Sequence, residues 1–216
     1  MITLFIGRHG ETKLNSEERL RAWIDEPLNA TGVKEAHAMG KQMKQFPIDK
    51  VYCSDLDRAE HTATIVAEMH DLTPMPRKWF RPLDYGTLSG KKIKDIQPML
   101  DKLNEQWMTD PDVDAPSGES FASFQNRNMD GLEEIMLAAK DGEMIMIVAH
   151  LRNCLLFHGI SVTGGPLEGE DMKLMIGDDF HQESGQVARY SWDNDTLKFV
   201  SLLDVEKAET TEKAIS

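Results

Sequence analysis

Three short stretches carry residue types that can move a phosphoryl group. Arg8-His9-Gly10 directly follows the apolar run Ile2 to Ile6 and Gly7. Ser54-Asp55-Leu56-Asp57-Arg58 follows Val51-Tyr52-Cys53, and His150 follows Met144 to Ala149. A guanidinium presents a planar fork of donors that matches phosphate oxygens, so Arg8 and Arg58 suit the grip of a transferring phosphate. A neutral imidazole can attack phosphorus in line, and flanking positive charge lowers its pKa and keeps it neutral. His9 is then the nucleophile, and His150 donates to the equatorial oxygens, whose charge must be stabilised through the transition state. Gly10 lets the backbone pass close to the phosphate. This chemistry requires no metal and no cofactor.

All three stretches sit where a predicted strand gives way to a helix. Open α/β sheets bind ligands outside the carboxyl ends of their strands, where helix N-termini supply unpaired N–H groups. From Thr31, a candidate N-cap, the pattern turns helical, with Val33, Ala36, Met39, Gly40 and Met43 on one face. Asp55 or Asp57 opens a second helix carrying Ala59, Thr62, Ala63, Val66 and Met69, which makes a β-α-β-α order. Residues 74–90 read as an extended loop, and helical patterns return at about 91–105 and 119–140. Residues 143–149 are the strongest strand, and 187–192 and 197–203 form a hairpin around Asn194-Asp195. The expected fold is α/β, a three-layer α/β/α sandwich with a mostly parallel central sheet. It forms one domain over residues 1–203, with a solvated tail over 204–216.

Bulk composition narrows the partners. With 216 residues and 40% hydrophobic content the chain fills one core. Its net charge of −13 argues against general binding to nucleic acid or acidic membranes. A small phosphate ester is the expected partner, and its dianion requires a local positive field against the acidic surface. No leader pattern and no membrane-length apolar stretch is visible, so the expected location is cytoplasmic. Cys53 and Cys154 lie far apart with no CxxC partner and read as buried free thiols. An exposed edge strand would make a homodimer unsurprising.

The wider context adds landmarks in a fixed order. Arg8-His9-Gly10-Glu11-Thr12 is followed by Asn15, Asp25-Glu26-Pro27-Leu28 and Gly32, then by Ser54 to Ala59 and Thr62-Ala63. Tyr85-Gly86, Ser89-Gly90, Gly118-Glu119-Ser120-Phe121, Arg127 and Ala149-His150 complete the series. Over residues 2–160 this resembles the histidine phosphatase superfamily, in its phosphoglycerate mutase-like branch. The resemblance implies a phosphohistidine intermediate at His9, phosphate held by Arg8, Arg58 and His150, and Asn15 lining the same pocket.

Three departures from the family pattern bear on function. The usual proton donor is a Glu three residues before the Tyr-Gly pair, and that slot holds Pro82, which has no proton to give. Asp84 is the nearest replacement, with Glu11 and Glu119 as weaker ones. Arg152 stands where a Gly-rich run often follows the second histidine, and either reaches the pocket as a further cation or turns to solvent. Arg21 occupies a place where the family often has Gln followed by Gly. It either grips a second anionic group of the substrate or is a solvated helix residue. His37, His61, His70, His158 and His181 show no ligand spacing and read as surface or core residues.

The expected activity is a phosphomonoesterase that hydrolyses a small phosphorylated metabolite through a phosphohistidine. One alternative is a cofactor-dependent phosphoglycerate mutase, although the interval 87–118 is short for the insertion that such mutases usually carry. The other is a phosphate-binding regulatory protein with weak turnover. The substrate would be set by loops over 104–118 and 163–184.

Overall fold

Alternation along the strands places apolar side chains on both faces of one sheet. In the computed structural model, which describes residues 1–176 and 180–203, strand β1 (Ile2–Arg8) buries Leu4 and Ile6 on one face and Phe5 on the other. Strand β2 (Lys50–Ser54) does the same with Tyr52 against Val51 and Cys53. Strand β4 (Met144–Ala149) splits Ile145 and Ile147 from Met146 and Val148. Double-sided burial of this kind marks the centre of an α/β sheet.

With β3 (Met75–Arg77), β5 (Val187–Asp193) and β6 (Thr196–Leu203), the strands run in the order β3-β2-β4-β1-β5-β6. The β1–β4, β2–β3 and β2–β4 pairs are parallel, whereas β5 runs antiparallel to β1 and β6 antiparallel to β5. Helices α2 (Ala30–Met43) and α3 (Asp57–Glu68) cover the Phe5 face through Met39, Met43, Ala59, Ala63 and Val66. The Leu4 face packs against α4 (Ile93–Thr109), α5 (Phe121–Leu137) and α6 (Leu151–Thr163). The result is the three-layer α/β/α sandwich with a mostly parallel sheet.

Register brings the chemistry together. Arg8 pairs with Ala149, so the residues that follow, His9 and His150, leave the sheet side by side, and the His9 N–H donates to the Ala149 carbonyl at 3.0 Å. Cys53 pairs with Val148, which puts the Ser54–Arg58 stretch at the same edge.

Several local expectations change. Asn29, not Thr31, caps α2, its side chain accepting the Gly32 N–H at 2.8 Å. Of the two candidates for the start of α3, Asp57 is its first residue, with Leu56 at the N-cap. Residues 74–90 are more ordered than a loop, because they hold edge strand β3 and two 3₁₀ turns, Lys78–Phe80 and Gly86–Leu88. Each spans three residues, too few for periodicity, and Pro76 fits an edge strand, where a ladder N–H can be spared. The 163–184 segment contains a 3₁₀ stretch, Gly169–Met175. The closing hairpin turns at Asn194 and Asp195, both at positive φ (47° and 56°), as a two-residue turn requires. The expected tail over 204–216 lies outside the described residues.

Candidate active site

His9 is fully buried, and its Nδ1 lies 2.7 Å from the carbonyl of Gly10. A carbonyl only accepts, so Nδ1 carries the hydrogen and Nε2 keeps its lone pair. Nε2 has no partner among the described residues. Burial, then the charges of Arg58, Arg21 and Arg8, hold the His9 pKa well below its usual range. The imidazole is therefore neutral near pH 7, the form that a nucleophile needs.

A short α-helix, α1 (Lys13–Ser16), follows this stretch. Gly10 also makes a close backbone approach within the fold. Its N–H donates to Thr62 Oγ1 at 3.2 Å, and a Cβ there would meet the Gly32 carbonyl oxygen of α2 at 2.3 Å. Gly10 thus seats α2 against the nucleophile's turn.

His150 is the N-cap residue of α6, and its ring stands edge-on to His9 with centroids 5.0 Å apart. Among the described residues neither of its ring nitrogens has a partner, and burial followed by the charge of Arg58 keeps it neutral. Arg58, 1% exposed, donates from Nη1 to the Ile24 carbonyl at 2.8 Å and from Nη2 to the Ala22 carbonyl at 2.9 Å, while its Nε is unpartnered. Burial lowers its pKa to about 10. Ala22 presents that carbonyl from a positive φ of 46°, a conformation that L side chains adopt at a cost. Arg8 donates from Nη1 to the Gln182 carbonyl at 2.8 Å, and its Nε is also buried without a partner.

Arg21 lies in the loop after α1, not on a helix, and lines the cavity beside Arg58 and His150. Burial and the charges of Arg58 and Arg8 bring its pKa down to about 9, and its Nε has no partner. Three guanidiniums and two neutral imidazoles thus converge with donors unspent. Buried donors of this kind call for an acceptor, and like charges held together call for an anion. A phosphate dianion answers both requirements.

The cavity next to this cluster measures about 660 Å³. Arg152 lines it but is turned along the wall, donating to the Met175 carbonyl with its guanidinium carbon 5.9 Å from the Tyr85 ring centre. Asn15 is positioned by Thr12, six residues after His9 in the chain. Its Oδ1 accepts from the N–H and hydroxyl of Thr12 at 3.0 and 2.8 Å, in the capping box that opens α1.

The carboxylates considered as proton donors are engaged away from the cavity. Asp84 Oδ1 accepts the Gly86 N–H at 2.9 Å, and only its neighbours Pro82, Leu83 and Tyr85 line the cavity. Glu119 is clamped by Arg127 through both oxygens at 3.0 and 2.6 Å, and Glu11 accepts from Asn29 at 2.7 Å. Arg127 also donates to the carbonyls of Trp79, Arg81 and Pro82, which fixes the backbone at the place where the family pattern carries its Glu. Helix α4 lines the cavity with Leu100, Asp101, Asn104, Glu105 and Met108, and His181 reaches it from the segment before β5. Asn104, Glu105, Met108 and His181 fall in the stretches 104–118 and 163–184 expected to form its walls, although 104–109 is helical and not a loop, whereas Leu100 and Asp101 were not anticipated. Helical periodicity identifies the face that α4 buries, but not which residues beside that face border a cavity.

Fold and site together define a class: an α/β protein whose crevice at the strand ends presents a neutral histidine, a second histidine and arginines to a phosphate. The chain belongs to the histidine phosphatase superfamily (branch 1), whose family model matches residues 4–202. It is 28% identical over 159 residues to a probable phosphoglycerate mutase, GpmB, of Yersinia pestis (strain Pestoides F), covering 72% of this chain and 74% of that protein. Among solved structures it resembles YhfR of Bacillus stearothermophilus, at 27% identity and a TM-score of 0.76, over 92% of this chain and 95% of that one. The alpha-ribazole phosphatase of Shigella flexneri shares the fold, at 22% identity and a TM-score of 0.75, over 93% of this chain and 95% of that one. No helix among the described residues is long and apolar enough to cross a membrane.

Proposed function

We propose that the protein is a phosphomonoesterase that passes a phosphoryl group from an ester to His9 and then to water. The observation that carries this reading is the locked tautomer of His9, whose free Nε2 sits among Arg8, Arg21, Arg58 and His150. In the first step the Nε2 lone pair attacks phosphorus and the bond from phosphorus to the ester oxygen breaks. Its electrons remain on the leaving oxygen, which takes a proton from water. In the second step water attacks the phosphohistidine, the P–N bond breaks and Nε2 recovers its lone pair, while the proton of the attacking water passes to solvent. Arg58, Arg21 and Arg8 supply positive charge to the equatorial oxygens, and His150 supplies an N–H. The mechanism routes no step through a metal ion.

Pro82 gives the reaction its particular character. With no carboxylic acid placed at that slot, the leaving oxygen departs largely unprotonated, so turnover depends steeply on how acidic the departing alcohol is. The same slot would hold the base for the attacking water, so phosphohistidine hydrolysis likewise proceeds with solvent as the proton acceptor.

The 28% identity to GpmB favours a second reading, a mutase that returns the phosphoryl group to a sugar acid. Phosphate release and 2-phosphoglycerate formation, measured on 3-phosphoglycerate with and without 2,3-bisphosphoglycerate and on aryl phosphates, separate the two. A phosphatase releases inorganic phosphate from the aryl esters and does not respond to the bisphosphate. Bisphosphate-dependent isomerisation outpacing phosphate release would overturn the phosphatase reading.

A further inference from the structure

The volume beside the phosphate cluster greatly exceeds what a phosphate fills. At about 660 Å³ it lies within the ~300–1,000 Å³ typical of sites for drug-sized ligands. Emptied of ligand it would hold on the order of twenty waters at ~30 Å³ each. Its walls are not suited to hydrating a short polar chain. Leu83, Tyr85, Leu100, Met108, Leu155 and Phe180 give it an apolar lining drawn from both sides of the crevice.

The charges around the cavity are unevenly available. Arg21 and Arg58 stand at the phosphate cluster with unpartnered Nε atoms. Arg19 is paired with Glu17 and also donates to the Gly90 carbonyl, whereas Arg152 donates to the neutral Met175 carbonyl and keeps its positive charge on the α6 wall. The charged residues that α4 contributes are both acidic, Asp101 and Glu105, one turn apart on the same face. A carboxylate on the substrate body would meet like charge there, whereas a neutral or cationic body would not.

We infer that the substrate is a phosphomonoester of a bulky, chiefly apolar alcohol that is neutral or cationic where it faces α4. This deepens the phosphatase reading and rests on the phosphate being held by the histidine–arginine cluster. A compact sugar acid leaves most of the volume unfilled, and its carboxylate would meet like charge wherever it faced Asp101 and Glu105. An aryl or otherwise ring-bearing alcohol is also a better leaving group when it is acidic, which suits a site without a carboxylic acid at Pro82.

Non-hydrolysable phosphonates test the inference apart from turnover. Calorimetric binding of naphthylmethylphosphonate, its ring-carboxylated derivative and phosphonoacetate should rank naphthylmethyl tightest, at least tenfold over phosphonoacetate and at least threefold over the carboxylated ring. Met108→Asp, at a partly exposed wall position, should cut the preference for naphthylmethylphosphonate over phosphonoacetate at least threefold. Equal or tighter binding of phosphonoacetate would overturn the inference, as would tighter binding of the carboxylated ring. Phosphate release from p-nitrophenyl phosphate, measured in parallel, keeps the two claims distinct. Turnover without size preference removes this inference and leaves the phosphatase reading standing. Size preference without turnover removes the phosphatase reading and overturns the substrate claim, leaving a binding site for a bulky phosphoryl ligand.

Discussion

Replacing Arg21 by glutamine should make the protein more stable and a poorer phosphate binder. Arg21 forms no ion pair among the described residues, and the charges of Arg58 and Arg8 oppose its own. Holding it charged at about 9 instead of 12.5 corresponds to about 5 kcal/mol at ~1.36 kcal/mol per pH unit. Solvent reaches part of the side chain and screens most of that, which leaves a gain of about 1–2 kcal/mol for Arg21→Gln. Below pH 9 both folded and unfolded chains keep the proton, so the gain is constant with pH. Between about 9 and 12.5 the unfolded chain holds more protons than the folded one, so wild-type stability rises and the gap narrows. Loss of a charge-assisted contact worth ~1.5–3 kcal/mol should weaken phosphate or vanadate binding at least tenfold. Urea unfolding at pH 7.5 and pH 10, with and without vanadate, measures both effects. An Arg21→Gln protein that is less stable than wild type and binds vanadate as tightly would refute the reasoning.

Pro82→Glu places a carboxylic acid at the vacant slot and should raise turnover of alkyl phosphates at least tenfold, with little change on p-nitrophenyl phosphate, judged by the ratio of the two kcat/KM values. Asp84→Ala should alter that ratio less than threefold, because Asp84 Oδ1 serves the Gly86 N–H; the variant should lose about 1 kcal/mol of stability in urea titrations. Glu119→Gln leaves Arg127 partly buried without its carboxylate and should cost about 2–3 kcal/mol, read as a lowered urea midpoint. His9 and His150 both stay neutral in the folded protein, whereas an unfolded chain protonates them below about pH 6.5. Stability should therefore fall as pH drops below that value, by up to ~2.7 kcal/mol per pH unit for the pair, and the slope should flatten in a His9→Ala/His150→Ala protein.

The convergence of the histidines and arginines was legible in the sequence because these residues follow strand ends. Apolar runs locate β1, β2 and β4, and a parallel sheet with its helices brings the residues after those strands to one edge, so His9, Arg58 and His150 could be grouped across long intervals. What was not legible depends on side chains choosing among local partners. Asn29 rather than Thr31 caps α2, because the helix starts one residue before Thr31 and its first free N–H within reach belongs to Gly32. Asp84 is spaced plausibly for proton donation, yet the tight turn at Gly86 offers it a backbone donor two residues away. Asn15 closes a capping box with Thr12, a local pairing that the family landmark alone did not announce. The walls were expected from 104–118 and 163–184, and Glu105, Met108 and His181 lie there, but as part of a helix in the case of Glu105 and Met108. The buried stripe of Ile96, Leu100, Leu103 and Trp107 explains α4 fully, and nothing in that pattern says that Asp101 beside it borders a pocket.

The central claim is that His9 Nε2 accepts the phosphoryl group, and trapping the phosphoenzyme tests it most directly. Rapid acid-free denaturation after mixing with a ³²P-labelled aryl phosphate should yield label that is stable to base and labile to acid, the behaviour of a phosphoramidate. Peptide mapping should place that label on His9, and it should be absent from His9→Ala. Labelled protein persisting in His9→Ala, or label mapped to any other residue, would contradict the account.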